Sequence, residues 1–164
     1  QHYKNFSSMS WVYSCGAGAN YGTALESALK MGETIHIPSC CYEIEEYIHG
    51  PNLQLTPQYN VIFFDGNDGA SRRVEQVYKA TRKVSNRAYL ISNNPQLSSD
   101  DHVLSLSDTV SSELCPLVYL PFVQLLSFIV SNDLHSIYQH PLLKEFKAIA
   151  AAKTENFVNY DGDD

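Results

Sequence analysis

Short apolar runs alternate along this chain with longer segments of helical periodicity. Residues 61–64 read Val-Ile-Phe-Phe and residues 88–91 read Ala-Tyr-Leu-Ile, and amphipathic stretches separate such runs. Strands without a polar alternation are typical of a parallel sheet that helices cover on both faces. We therefore predict an α/β fold, a three-layer α/β/α sandwich around a five-stranded, mostly parallel sheet, with strands at 11–15, 36–40, 61–64, 88–91 and 102–106.

The helices are predicted between these strands. Asn20 is expected to cap a helix that runs to about Glu33, and further helices are expected at 42–48, 71–84 and 116–131. The apolar face of the first helix should consist of Ala24, Leu25, Ala28, Leu29 and Met31. The chain is expected to enter its first strand with no helix before it. At 164 residues it fits one domain.

Charge and composition argue against several classes of partner. The formal net charge is −7 and no Lys/Arg cluster occurs, so neither nucleic acid nor an anionic membrane surface is expected. The longest apolar stretch, 114–130, contains two prolines and a glutamine and falls short of the ~20 apolar residues of a membrane helix. We predict a buried helix there. The four cysteines show no metal-binding spacing, which favours reduced thiols in a cytoplasmic protein.

The carboxyl ends of the strands are the predicted place for a ligand, because open parallel sheets bind ligands there. Gly16, Gly18 and Asn20 follow the first strand, and such a turn can bring backbone N–H groups to a substrate phosphate. A tight turn for close packing explains the glycines equally well. The third glycine of a dinucleotide fingerprint falls on Tyr21, so NAD is not expected. The histidines show no metal-ligand spacing, and we predict neither a metal nor another cofactor.

Three side chains have the chemistry for proton transfer. Lys30 and Glu33 lie three residues apart at the end of a predicted helix, where the carboxylate could act as a general base and the ammonium could stabilise an enediolate. A solvated ion pair is the alternative. His49 precedes Gly50-Pro51 and could open a sugar ring by acid/base transfer, or could simply cap the preceding helix. The spacing does not decide between these interpretations.

Taken together, the segments CGAGANYGTALESALKMGE at 15–33, IP at 37–38 and EEYIHGP at 45–51 resemble the SIS (sugar isomerase) family. The likeness is to the second SIS domain of glucosamine-6-phosphate synthases and of fructosamine-6-phosphate deglycases. It implies a flavodoxin-like or Rossmann-like fold. It also implies that residues 1–140 are one SIS domain, the C-terminal half of a two-SIS protein, with a tail at 141–164.

The resemblance also implies an activity, namely aldose–ketose isomerase or deglycase chemistry on a phosphorylated keto- or amino-sugar. Glu33 occupies the place of the family's proton-transfer carboxylate and Lys30 matches the lysine of the same segment. His49 matches a histidine that reaches into the partner subunit's site, which implies a homodimer with a shared active site.

Two departures from the family pattern bear on this reading. The loop at 65–70 is acidic where the first SIS domain of the family has a Ser/Thr-rich phosphate loop, so most of the phosphate site is expected to be missing. Lys144 and Lys147 are not in clear register with the family's C-terminal lysine. A non-catalytic module that senses a sugar phosphate is the main alternative, and an inert domain that only dimerises is another.

Overall fold

The computed structural model describes residues 2–106, 110–136 and 149 and contains one parallel sheet with helices on both faces. The strands are β1 (Val12–Gly16), β2 (Ser39–Glu43), β3 (Asn60–Asp65), β4 (Ala88–Ser92) and β5 (Val103–Ser105). The helices are α1 (His2–Ser7), α2 (Ala19–Ile35), α3 (Ile44–Ile48), α4 (Ser71–Arg82) and α5 (Cys115–Asp133). Single 3₁₀ turns lie at Pro51–Gln54, Pro95–Leu97 and Ser112–Leu114. The predicted tail, with Lys144 and Lys147, lies outside the described residues apart from Ile149.

The strand order is β2-β1-β3-β4-β5, and every neighbouring pair is parallel. Val12 is paired with Ser39 on one side and with Asn60 on the other. The chain therefore leaves β1 toward β2 and returns to the opposite side as β3. The carboxyl ends of β1 and β3 form the switch point of the sheet, where a crevice is expected. The predicted α/β architecture is confirmed.

Two apolar cores lie on the two faces of the sheet. Ile62 and Phe64 of β3 point toward α1, α2 and α5, whereas Val61 and Phe63 point toward α3 and α4. All four side chains are at most 1% exposed. Side chains alternate between the faces of a strand, so the middle of a strand covered twice must be apolar on both sides. This explains the continuous apolar run that predicted the fold.

The structure differs from the prediction before β1 and at both ends of α2. A helix, α1, precedes β1, and its Phe6 is buried against the sheet. The strand predicted at 36–40 begins only at Ser39, because α2 continues through the buried Ile35 and His36 is its C-cap. His36 has a φ of 63°, which is incompatible with an extended strand. Asn20 is not the N-cap of α2, since Gly18 occupies that position and Asn20 lies in the first helical turn.

The outer faces of α2 and α5 are more exposed than predicted. Leu25 and Leu29 were expected in the apolar face of α2, but about half of each side chain is exposed. Phe128 of α5 is 62% exposed, so the prediction of a buried helix is wrong for the outer side of α5. The segment Ser112–Asp133 is long and apolar enough, by length and composition, to cross a membrane, and a third of its apolar window is buried in this fold.

Candidate functional site

The glycine turn after β1 is shaped by the close approach of α2. A Cβ atom added to Gly16 would lie 2.3 Å from the backbone oxygen of Asn20. Gly18 has a φ of 56° with a ψ of −132°, a combination that residues with a Cβ atom rarely adopt. Both glycines are therefore required by the packing of α2 on β1, whether or not a ligand binds there.

Asn20 contributes a buried amide to the switch point. Its Oδ1 accepts a hydrogen bond from Thr23 Oγ1 at 3.1 Å, while its Nδ2 has no partner among the described residues. A Cβ atom on Gly66 would lie 2.9 Å from this Nδ2 and 3.1 Å from Asp68 Oδ2. The structure thus brings together Gly16, Asn20 and the loop after β3, as the parallel topology predicts.

The loop after β3 uses its backbone N–H groups internally. The N–H of Asn67 donates to Asp65 Oδ1 at 3.0 Å, and that of Ala70 donates to Asp68 Oδ1 at 2.8 Å. The N–H of Asp68 donates to Ser71 Oγ at 2.6 Å. Phosphate loops leave such donors available to the anion. Here carboxylates and a hydroxyl already accept from them, in agreement with the expectation that this is not a phosphate loop.

The beginning of α5 closes the carboxyl edge of β3 and β4. Tyr119 donates its hydroxyl hydrogen to the carbonyl oxygen of Asp65 at 2.7 Å. The amide of Asn93 donates to the carbonyl oxygen of Val110 at 2.8 Å. Burial raises the pKa of Tyr119, which keeps the hydroxyl protonated as a donor. The sequence analysis missed this closure, because nothing in the local pattern of α5 indicates which strand it covers.

Lys30 and Glu33 form an ion pair near the end of α2. The ammonium of Lys30 donates to Glu33 and also lies 3.4 Å from Glu26 Oε1. The hydrogen bond to Glu33 raises the pKa of Lys30, so the lysine stays protonated at neutral pH. All three side chains are partly exposed. Glu26 was not singled out in the sequence, although its position four residues before Lys30 is the spacing of a helical ion pair.

The ion pair and the glycine turn lie at opposite ends of α2. The helix begins at the carboxyl end of β1, and the chain then enters the parallel strand β2 at its amino end. Thirteen residues separate Asn20 from Glu33, which corresponds to ~20 Å along the helix axis. The two groups therefore cannot contact the same part of a small sugar within one chain. Substrate binding by Gly16, Gly18 and Asn20 stays a prediction.

His49 lies across the sheet from Glu33. It caps the C-terminus of α3 and is exposed, and its Nδ1 lies 2.7 Å from the carbonyl oxygen of Glu45. An ion pair between Glu45 and Arg73, with Nε at 2.6 Å from Oε1, holds α3 against α4. Helices α3 and α4 cover one face of the sheet and α2 covers the other. Glu33 and His49 therefore lie on helices at opposite faces of the sheet.

The order of these elements is that of a known domain. The family model for the SIS domain matches residues 6–109, which include β1 to β5, the Lys30–Glu33 pair and His49. The chain belongs to the SIS domain family. The resemblance found in the glycine turn and in the segment before Gly50-Pro51 is confirmed.

Curated relatives of this SIS domain are glutamine–fructose-6-phosphate aminotransferases of the isomerizing type. The protein of Methanothermobacter thermautotrophicus is 30% identical over 131 residues, which are 77% of this chain and 22% of that protein. The protein of Xylella fastidiosa is 28% identical over 125 residues, 75% of this chain and 20% of that protein. The chain thus spans about a fifth of the length of these relatives.

Solved structures show the same fold. A Clostridium difficile 630 protein assigned as a phosphosugar isomerase superposes with a TM-score of 0.75 at 21% identity, over 93% of this chain and 42% of that chain. The C-terminal domain of the glucosamine–fructose-6-phosphate aminotransferase of Francisella tularensis has a TM-score of 0.67 at 24% identity, over 79% of this chain and 37% of that one. These likenesses extend over less than half of each neighbour.

Proposed function

We propose that this SIS domain binds a phosphorylated keto- or amino-sugar in an active site that it shares with other SIS domains. In this site Glu33 transfers a proton in a reaction of the aldose–ketose isomerase or fructosamine-6-phosphate deglycase type. The observation that carries the proposal is the Lys30–Glu33 pair, a carboxylate held by a protonated amine on an accessible helix face. No cofactor is needed for this chemistry.

The proposed chemistry divides between the two faces of the domain. Glu33 removes the proton next to the carbonyl of the open-chain sugar, and the ammonium of Lys30 stabilises the negative charge that develops on the enediolate oxygen. His49 assists ring opening by acid/base transfer in the site of a partner subunit, because it lies across the sheet from its own Glu33. A homodimer with a shared active site follows from this proposal.

The surface around Glu33 supports a covering domain. Leu25, Leu29 and Glu33 follow one another at intervals of four residues, so they share one helix face. Leu25 and Leu29 are exposed there, and α2 packs against α5, whose outer side exposes Phe128. Exposed apolar patches of this kind mark interaction surfaces. We propose that residues 1–140 are the C-terminal half of a two-SIS cytoplasmic protein and that another SIS domain covers this face.

A sugar-phosphate sensor is the second candidate function. The exposed ion pair of Lys30 and Glu33 is compatible with it, because such a pair can hold a ligand without transferring a proton. The loop after β3 does not distinguish the two functions, since its N–H groups donate to Asp65, Asp68 and Ser71 and either function needs a phosphate contact elsewhere. A sensor requires no base, so the two functions differ in whether the proton next to the carbonyl exchanges with solvent.

The test is proton exchange in D₂O, measured by NMR with fructose 6-phosphate and a fructosamine 6-phosphate. It is run on this chain and on the longest natural polypeptide that contains it. We expect deuterium at the carbon next to the carbonyl, and loss of exchange in Glu33→Gln. Glu75→Gln is the matched control, because Glu75 pairs with Lys79 on α4, away from the proposed site. Binding without exchange in the longer protein would favour the sensor, and equal exchange in Glu33→Gln would refute the role of Glu33.

A further inference from the structure

Two histidines and an aspartate from distant parts of the sequence meet at the amino-terminal edge of the sheet. His2 lies at the start of α1, and Asp101 and His102 lie immediately before β5. His2 Nε2 is 3.5 Å from Asp101 Oδ2, and His102 Nε2 is 3.9 Å from Asp101 Oδ1. One ligand atom from each residue lies within 4.8 Å of the other two.

The ring of His102 is held in the orientation that a metal ligand needs. It is 6% exposed and stacks on Tyr89 with a centroid distance of 4.9 Å. Its Nδ1 lies 3.1 Å from the carbonyl oxygen of Ala88. Metal-binding histidines commonly donate one ring N–H to a carbonyl, which leaves the lone pair of the other nitrogen for the metal. A donation from Nδ1 to Ala88 leaves the lone pair of Nε2 on the side of Asp101.

Arg82 lies close to the same nitrogen of His102. Its Nη1 is 3.0 Å from Nδ1 and 2.6 Å from Asn86 Oδ1. The shorter contact is a hydrogen bond that the guanidinium of Arg82 donates to the side chain of Asn86. A guanidinium can only donate, so its contact with Nδ1 competes with the hydrogen bond from Nδ1 to the Ala88 carbonyl. Zinc binding therefore requires the tautomer with the hydrogen on Nδ1, in which Arg82 keeps only its hydrogen bonds to Asn86.

The ring of His2 packs against that of His102, but one of its nitrogens lacks a hydrogen-bond partner among the described residues. It contacts the ring of His102 edge to face, with centroids 4.6 Å apart. Its Nδ1 is buried and has no hydrogen-bond partner within the part of the chain that the structure describes. Buried ring nitrogens without a partner are uncommon, and either nitrogen of a histidine ring can bind a metal ion. A polar cavity of about 210 Å³ adjoins the three residues and offers room for water.

We propose that His2, Asp101 and His102 bind a zinc ion with water in the fourth position. Two imidazoles and a carboxylate are a ligand set that zinc prefers, and tetrahedral coordination at ~2.1 Å requires ligand atoms ~3.4 Å apart. The observed 3.5 and 3.9 Å run to the two different oxygens of Asp101, so its carboxylate must turn to present one oxygen to the ion. The three ligand atoms lie within 4.8 Å of one another and must close by up to ~1.4 Å, the difference from ~3.4 Å. The ion joins α1 to the turn between β4 and β5, so binding stabilises the docking of α1 on the sheet.

The test uses the chain with any affinity tag removed, because an oligohistidine tag itself binds zinc. We expect one Zn²⁺ per chain by calorimetry, and a Tm that rises by ~5 °C when zinc is at ~100 times its Kd. Co²⁺ should give the visible absorption of a tetrahedral nitrogen and oxygen site, without the near-ultraviolet band of a thiolate ligand. Asp101→Asn and His2→Ala should each weaken binding ~10-fold or more.

Three controls make the result decisive. Asp101 and His2 are exposed enough to be replaced without loss of folding, which circular dichroism checks. His135→Asn removes another exposed imidazole and should leave the affinity unchanged. Cys40→Ser removes the exposed thiol and should also change nothing. The proposal is refuted if no 1:1 binding occurs, or if Asp101→Asn and His2→Ala bind zinc as tightly as the unmodified chain.

Discussion

Gly16 is the position where the addition of one methyl group should cost the most stability. A Cβ atom there would lie 2.3 Å from the backbone oxygen of Asn20 and 2.8 Å from its backbone carbon. Observed Cβ atoms essentially never approach closer than 3.0 Å, so the first turn of α2 would have to move away from β1 by at least 0.7 Å, the difference between 3.0 and 2.3 Å. No side-chain rotation relieves a contact with backbone.

The displaced turn carries other contacts with it. Asn20 and Thr23 are buried in this turn, and Ala24 packs in the core of the same face. Overpacking of a core costs ~1–3 kcal/mol when side chains can adjust. Because backbone must move here, we expect Gly16→Ala to lower the free energy of unfolding by ~3 kcal/mol or more. For a chain of this size that lowers Tm by ~6–12 °C.

Gly22 provides a control in the same helix. A Cβ atom added to Gly22 meets no atom within 4 Å. Alanine is the better helix former by ~0.8–1 kcal/mol, so Gly22→Ala should raise the free energy of unfolding by about that amount. Urea titrations followed by circular dichroism measure both changes under the same conditions. If Gly16→Ala unfolds within ~0.5 kcal/mol of the unmodified chain, the close approach of α2 to β1 is wrong.

Three further predictions concern the surface and the closure of the sheet edge. Iodoacetamide at pH 7.5 should modify Cys40 first, because Cys40 is exposed whereas burial raises the pKa of Cys41 to about 11. Mass spectrometry of Cys40→Ser should show that the fast adduct is gone. Persistence of this adduct would contradict the register of β2. Tyr119→Phe should lower the free energy of unfolding by ~1–3 kcal/mol, since the carbonyl of Asp65 loses its buried donor. An unchanged free energy in a urea titration would mean that this carbonyl does not depend on Tyr119 for a hydrogen bond. Phe128→Ser should change the free energy of unfolding by less than ~0.5 kcal/mol and should reduce self-association in light scattering, because the side chain is exposed. A loss of ~3 kcal/mol, typical of a buried Phe, would show that α5 is covered within the chain itself.

The predicted and observed strands differ in one informative place. The apolar runs of β3 and β4 predicted those strands to within a residue at each end, because the middle of a strand covered on both faces packs against apolar side chains on both sides. β2 lies at the edge of the sheet, and its sequence, Ser39–Glu43, has no apolar run. The prediction therefore placed the start of this strand three residues early, at His36, which is in fact the C-cap of α2.

In the candidate site too, local contacts could be predicted from the sequence and long-range contacts could not. The three-residue interval between Lys30 and Glu33 predicted their contact, because helix geometry alone brings such positions together. The sequence could not indicate that His49 lies on the opposite face, since that depends on which side of the sheet α3 packs. The histidines also gave no metal-ligand spacing, yet the fold places His2 next to His102 across 100 residues of sequence.

Local periodicity, strand hydrophobicity and the order of motifs thus determined the α/β class, the SIS family and the Lys30–Glu33 pair. These properties depend on neighbours within a few residues, where backbone geometry sets the distances. The tertiary structure alone decided that α5 closes the carboxyl edge over Asp65, that Leu25 and Leu29 face outward, and that Glu33 and His49 are separated by the sheet. Such relations depend on how helices pack across a sheet, and packing joins residues that no local pattern connects.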